Sequence, residues 1–177
     1  MQPPLLLIIA GPNGSGKSTF AKWYLEANPV CEMIVDPDEI ARHSSIENVQ
    51  ERNIAAGRIA ITMTDALLSQ RRSFAIETTL SGTSLAGTLR RARDCGYTVV
   101  ICMLVVPSAA VTRQRIERRV RMGGHDIPIV DQVRRFDRSY RNFHETYIKV
   151  CHEWTLYDAV YNPPVAISRG SGGFSEK

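Results

Sequence analysis

Residues 5–20, LLLIIAGPNGSGKSTF, run from an unbroken apolar stretch into a turn with three glycines, then into a lysine and two hydroxyl residues. No other segment limits the possible folds as much. An apolar run of this length, with no polar position to face water, reads as a strand covered on both faces. Gly11 to Ser18, GPNGSGKS, fits the spacing G-x-x-x-x-G-K-[ST] between that strand and a following helical pattern. Glycines let successive backbone N–H groups turn inward, and the start of the helix adds its partial positive charge at the same point. The ligand this arrangement suits is a nucleotide phosphate chain. Its expected contacts are Gly11, Pro12, Asn13, Gly14, Ser15, Gly16, Lys17, Ser18 and Thr19. Lys17 would reach the β- and γ-phosphates, the Ser18 hydroxyl would hold magnesium, and Thr19 would bond a neighbouring phosphate oxygen.

Beyond the turn, apolar runs alternate with helical patterns. Strands are expected at 4–10, at EMIV, at SFAIE, at 97–106 and near TLYDAV; helices at 17–28, 46–70, 84–95, 108–122 and 129–150. Strands that are apolar throughout and separated by helices imply an α/β fold, a parallel sheet flanked by helices as in P-loop NTPases of the nucleotide-kinase type. With 177 residues, 44% of them hydrophobic, the chain can bury one core. Residues 1–165 read as that single domain, with a helical lid around 108–145, and the Gly/Ser-rich residues 166–177 as a mobile tail.

The four cysteines, at 31, 95, 102 and 151, have neither paired nor metal-site spacing, so free thiols and a cytoplasmic location are expected. The apolar N-terminus has no basic leader, and no run approaches the ~20 apolar residues of a membrane span. Net charge is +4, and its basic side is mainly arginine, clustered in RRSF, RRAR, RQRIERRVR and VRRFDRSYR. Arginine offers forked contacts to phosphate, but a solvated surface explains such clusters as well. Among nucleotide-binding classes, a GTPase lacks its N-K-x-D segment here, and ABC-type ATPases, helicases and AAA-type motors need longer chains. A small kinase that moves a γ-phosphoryl group to a small acceptor is the economical reading, with ATP and Mg2+ as cofactors.

Such a kinase needs acidic groups at strand ends. In IVDPDEI, Asp36 fits a helix N-cap with Pro37 at the first helical position and Glu39 completing a capping box. It is also a candidate substrate residue. Asp38 is not needed for the cap and is the candidate base for the acceptor proton. In FAIETTL, Glu77 and Thr79 are candidates to orient acceptor or magnesium-bound water, the alternative for Glu77 being plain solvation. Arg118 and Arg121 are the candidate charge stabilisers on the lid helix, followed by a Gly123-Gly124 hinge and by His125, Asp126 and Pro128. A solvated basic face is the competing reading of that helix.

Together GPNGSGKST, VDPDEIA, SFAIETTLSG and IERRV…GGHDIP…RRFDRS resemble the zeta toxin family of P-loop kinases, in its short bacterial branch, over roughly residues 5–160. The resemblance implies ATP- and magnesium-dependent phosphorylation of UDP-N-acetylglucosamine at a sugar hydroxyl, and restraint by a small helical antitoxin. By position, Lys17 matches the family's P-loop lysine, Asp38 its base, Glu77 and Thr79 its strand-end substrate residues, and Arg118 and Arg121 its lid arginines. Two alternatives stand beside it. One is a kinase for another hydroxyl acceptor, such as a nucleoside or RNA end; the other is a nucleotide-gated nucleic-acid-binding module without transfer chemistry, for which Phe136, Tyr140 and Phe143 would supply stacking surfaces.

Overall fold

β1 (Leu5–Ala10) is flanked on both edges by parallel partners, β3 (Phe74–Thr78) and β4 (Thr98–Val105), with Ala10 opposite both Thr78 and Met103. The computed structural model describes residues 2–123 and 129–173. The six-stranded sheet has the order β2-β3-β1-β4-β5-β6, where β2 is Ile34–Val35, β5 is Glu153–Asp158 and β6 is Val165–Ser171. The first five strands run parallel, and β6 pairs antiparallel to β5. Chain order reverses at β1, which puts a crevice at the C-terminal ends of β1, β3 and β4.

Side chains of β1 alternate between two cores, which is why every position of that strand is apolar. Leu6, Ile8 and Ala10 pack with Phe74, Ile76, Val99 and Ile101. The same layer takes Ala60, Leu67 and Leu68 of α3 (Val49–Ser69) and Leu89 and Ala92 of α4 (Leu85–Asp94). Leu7 and Ile9 face the other way, onto Phe20 and Ala21 of α1 (Lys17–Ala27), with Ala75, Cys102 and Leu104. The four cysteines are free. No described helix is long and apolar enough to cross a membrane.

Local chemistry sets the element boundaries. The Asn48 side chain caps α3 by accepting from the Gln50 and Glu51 N–H groups, at 2.9 and 3.1 Å. α4 ends at Gly96 (φ 78), whose left-handed backbone returns two N–H groups to the last helical carbonyls: Gly96 to Arg93 at 2.7 Å and Tyr97 to Ala92 at 3.0 Å. A short α2 (Pro37–Arg42) follows β2, and α5 (Ala109–Arg121) follows β4. The helix expected over 129–150 is regular only as α6 (Ile129–Asn142). A π-helical turn, Phe143–Tyr147, and a 3-10 turn, Ile148–Val150, complete it. The widened turn coincides with two fully buried rings, Phe143 and Tyr147.

The mobile tail expected from residue 166 is corrected by β6, which extends through Ser171. Its glycines serve close approach, not freedom. A Cβ on Gly170 would stand 2.6 Å from the Trp154 ring, and one on Gly172 would stand 2.0 Å from the Cys151 carbonyl oxygen. Gly172 and Gly173 donate to the His152 and Ile148 carbonyls at 2.7 and 2.9 Å, which fastens the strand's end to the turn before β5.

Gly57, in the middle of α3, has open space where a Cβ would go, whereas Gly172 has none. Thermal melts are therefore expected to move in opposite directions. Gly57→Ala should stabilise by ~0.5–1 kcal/mol through helix propensity, and Gly172→Ala should destabilise by ~1–3 kcal/mol through the forced backbone shift.

Candidate active site

The glycine-rich loop lies between β1 and α1 at the crevice. Its first residue, Gly11 (φ 151), donates to the Thr78 carbonyl at 3.3 Å, tying the loop to the end of β3. Gly14 (φ 76) passes so close to α5 that a Cβ would stand 2.6 Å from the Thr112 carbonyl oxygen. Gly16 (φ 92) is different: nothing lies within 4 Å of the place a Cβ would occupy, so that side of the loop is open. Asn13 and Ser15 are buried, and Asn13 Oδ1 and Ser15 Oγ have no hydrogen-bond partner. An orphaned buried Ser15 hydroxyl, able to donate, and an open glycine cradle at a helix N-terminus fit a polyphosphate.

Lys17 begins α1 and is buried, its ammonium donating to the Pro12 carbonyl at 3.3 Å. Burial lowers its pKa; Glu77, Asp38 and Asp36 act against that in decreasing order, and Arg119 adds to it. Charges from three other elements therefore act on Lys17. Ser18 Oγ donates to Glu77 Oε1 at 2.9 Å, and Thr19 is exposed beside it. Glu77 faces α1 because it falls in phase with Ala75 on β3, away from Phe74 and Ile76. It is 7% exposed. Burial pushes its carboxyl up to about 7; Lys17 opposes the shift, Asp36 adds to it, and the Ser18 hydroxyl opposes it. Of the two readings offered by sequence, solvation is the one the burial of Glu77 removes.

Asp36 is the N-cap of α2, its Oδ1 accepting from the Asp38 N–H at 2.9 Å with Pro37 at the first helical position. Burial raises its pKa, the Asp38 backbone bond opposing. The reciprocal half of the capping box does not form, because the Glu39 carboxylate is paired with Arg42 and His43 one turn on. Asp38 enters the cap through its backbone alone, which leaves its exposed carboxylate at the helix start, within electrostatic reach of Lys17. Thr79 follows β3; its Oγ1 and Ser81 Oγ share a hydrogen bond of 2.9 Å.

Of the lid arginines, Arg118 and Arg121 are exposed on α5. Arg119, unassigned by sequence, is the one whose charge acts on Lys17. Arg115 is structural: it donates to the Ser15 carbonyl at 3.4 Å and to the Ala159 carbonyl at 2.7 Å, joining the glycine-rich loop to the end of β5. Its one-turn spacing from Arg119 was the available signal. Gly123 has φ 86, and the rest of the expected hinge, Gly124, His125, Asp126 and Pro128, lies outside the described residues.

The buried Glu77 gives the site a pH signature. Its carboxyl ionises at an ordinary 4.5 when unfolded and at about 7 when folded, so the unfolded chain releases this proton first and stability falls as pH rises between those values. Glu77→Gln lacks that loss. Its melting temperature relative to wild type should rise from pH 4.5 to pH 8, and a difference that stays flat with pH would contradict the assignment.

Residues 6–143 match the AAA domain family AAA_33. An uncharacterized protein of Haemophilus influenzae is 32% identical over 121 residues, covering 68% of this chain and 84% of that protein. Among solved structures, one from the PezAT chromosomal toxin-antitoxin system of Streptococcus pneumoniae superposes with a TM-score of 0.69 at 16% identity, over 96% of this chain and 72% of that one. A putative kinase from Chloroflexus aurantiacus gives a TM-score of 0.60 at 18% identity, over 75% and 76%. The name AAA was expected only of longer motors; here it attaches to a short chain with a P-loop kinase-like fold. With its glycine-rich loop, parallel sheet and flanking helices inside the matched span, the chain belongs to the AAA domain family AAA_33.

Proposed function

We propose that the protein is an ATP- and Mg2+-dependent kinase of zeta toxin type that transfers a γ-phosphoryl group to a hydroxyl of a nucleotide sugar such as UDP-N-acetylglucosamine. The observation that carries this reading is the meeting of Lys17, Ser18 and Glu77 at the crevice, with Asp38 exposed beside them. A buried carboxylate opposite the loop hydroxyl suits magnesium nucleotide in any P-loop site; the second, solvent-facing one at the neighbouring strand end is what an acceptor hydroxyl adds.

In this reading Gly11 to Thr19 hold the phosphates, with Lys17 on the β- and γ-oxygens. The Ser18 hydroxyl holds the metal. When bound, ATP would supply the phosphoryl group and the metal would offset its charge. Asp38 takes the acceptor's hydroxyl proton onto its carboxylate. Glu77, together with Thr79 and Asp36, orients the acceptor side. Arg118 and Arg121 face the transferring group from the lid helix, with Arg119 as their neighbour on the Lys17 side. Similarity to a structure from a toxin-antitoxin system supports an antitoxin partner, which in this reading is a small helical protein.

A second kinase reading, with a nucleoside or RNA end as acceptor, draws on the exposed arginines of α6, Arg138 and Arg141. The binding-module reading is weaker, because the aromatics it needs are committed elsewhere. Phe143 is fully buried, and the Tyr140 hydroxyl accepts from the Val106 N–H at 2.9 Å while its ring packs on Phe136.

The test is transfer of labelled phosphate from ATP with magnesium to a panel of UDP-N-acetylglucosamine, other nucleotide sugars, nucleosides and RNA. Lys17→Ala should lower transfer at least ~100-fold. Asp38→Ala should lower it by ~100-fold or more while ATP affinity stays near wild type. Transfer retained by purified Asp38→Ala would remove it as the base, and labelling of RNA alone would favour the second reading.

A further inference from the structure

The loop that follows β3 is held by a single helical stretch of the same core layer, in which Leu80 packs with Phe143 and Tyr147. Ser139 of α6, fully buried, donates through Oγ to the Thr79 carbonyl at 2.5 Å. Asn142, at the end of the same helix, donates through Nδ2 to the Leu80 carbonyl at 2.7 Å. Tyr147, in the π-helical turn, donates its hydroxyl to the Gly82 carbonyl, also at 2.7 Å. Three of the four carbonyls from Thr79 to Gly82 are thus bonded to side chains of residues 139–147.

The loop needs this grip. Leu80 has φ 53, the left-handed region that a branched residue avoids, yet its side chain is 1% exposed in the core. A leucine there must be held from outside the loop, since its own backbone preference would turn it elsewhere. Inside the loop, the Leu80 N–H donates to Thr78 Oγ1 at 3.2 Å, and the hydroxyls of Thr79 and Ser81 bond each other. The phosphate loop is anchored separately, by the Gly11 N–H on the carbonyl of Thr78, which lies within β3 itself. α6 also fixes the adjoining strand end, where the Tyr140 hydroxyl accepts from the Val106 N–H at 2.9 Å.

We infer that Ser139 and Asn142 are positioning residues for the acceptor side of the site, setting the Thr79 hydroxyl relative to Glu77 through the backbone carbonyls of the β3 loop. This rests on the transfer reading above. Neither side chain bonds the nucleotide loop. Their loss is therefore expected to separate acceptor use from nucleotide binding, which a general loss of fold would not do.

Ser139→Ala and Asn142→Asp test the role. The aspartate keeps the size of the asparagine but puts an acceptor against the Leu80 carbonyl, and Asn142 is only half-buried, so this variant serves if the buried Ser139 tolerates no change. ATP affinity is read by calorimetry, and kcat and KM are read with the acceptor that wild type labels among UDP-N-acetylglucosamine, nucleosides and RNA. The expected result is ATP affinity unchanged within about 2-fold, with kcat/KM for the acceptor lowered ~10- to 100-fold, since a displacement of about 1 Å in a reacting group costs on that order. Transfer equal to wild type in both variants overturns the role, and so does ATP affinity that falls in step with transfer. If wild type labels no acceptor, the transfer reading fails first and this role falls with it. The role alone fails when wild type transfers and the variants match it.

Discussion

The structure depends on β1 being enclosed on all sides. It is hydrogen-bonded to parallel strands on both edges, and its side chains enter a core on each face. A strand with no exposed edge or face has one place left to meet solvent, its end. There the chain turns through glycines into α1: the Gly11 N–H ties the turn to the end of β3, and the start of the helix beyond it brings its partial positive charge to the crevice. The same enclosure sets the chemistry of the site. Lys17 and Glu77 stand where the cores close, so water stabilises neither charge, and burial shifts both toward neutrality despite their mutual attraction.

Such a site works against the stability of the free protein. A buried carboxylate near neutrality, a buried lysine, two orphaned polar atoms in the loop and a leucine at positive φ are all costs that a packed core could avoid. They lie within a few residues of the crevice, while the middle of the sheet, in β1 and β4, is ordinary apolar packing. Concentration of this kind fits a binding site for a charged ligand such as a nucleotide phosphate chain, which would return interactions that the free protein lacks.

Arginine use follows the same division between holding and acting. Arg115 is spent on two backbone carbonyls and braces the phosphate loop against the end of β5. Arg71 bonds the Cys95 carbonyl, Arg91 pairs with Asp65, and Arg134 pairs with Asp131. These pairs are exposed and contribute little each. α5 ends in Arg118, Arg119 and Arg121, where the helix C-terminus favours positive charge, and the charge of Arg119 acts on Lys17.

Local pattern alone determined the strand, glycine turn and helix at the N-terminus, the alternation of strands with helices, and the acidic residues at two strand ends. Each is a statement about neighbours in sequence: apolar runs, fixed φ requirements and cap spacing act within a few residues. The capping role of Asp36 was legible for that reason. Glycine-rich sequence, by contrast, looks the same whether glycine gives freedom or close approach. Only its antiparallel pairing with β5 shows that Val165–Ser171 is a strand and not a tail. Tertiary structure likewise decided which arginine braces and which faces Lys17, and that Phe143 is core. It also brought Ser139, Asn142 and Tyr147, sixty or more residues distant in sequence, onto the carbonyls of Thr79, Leu80 and Gly82. Side-chain bonds to backbone carbonyls leave no periodicity and demand no particular residue type, so they arise only when packing brings the two segments together.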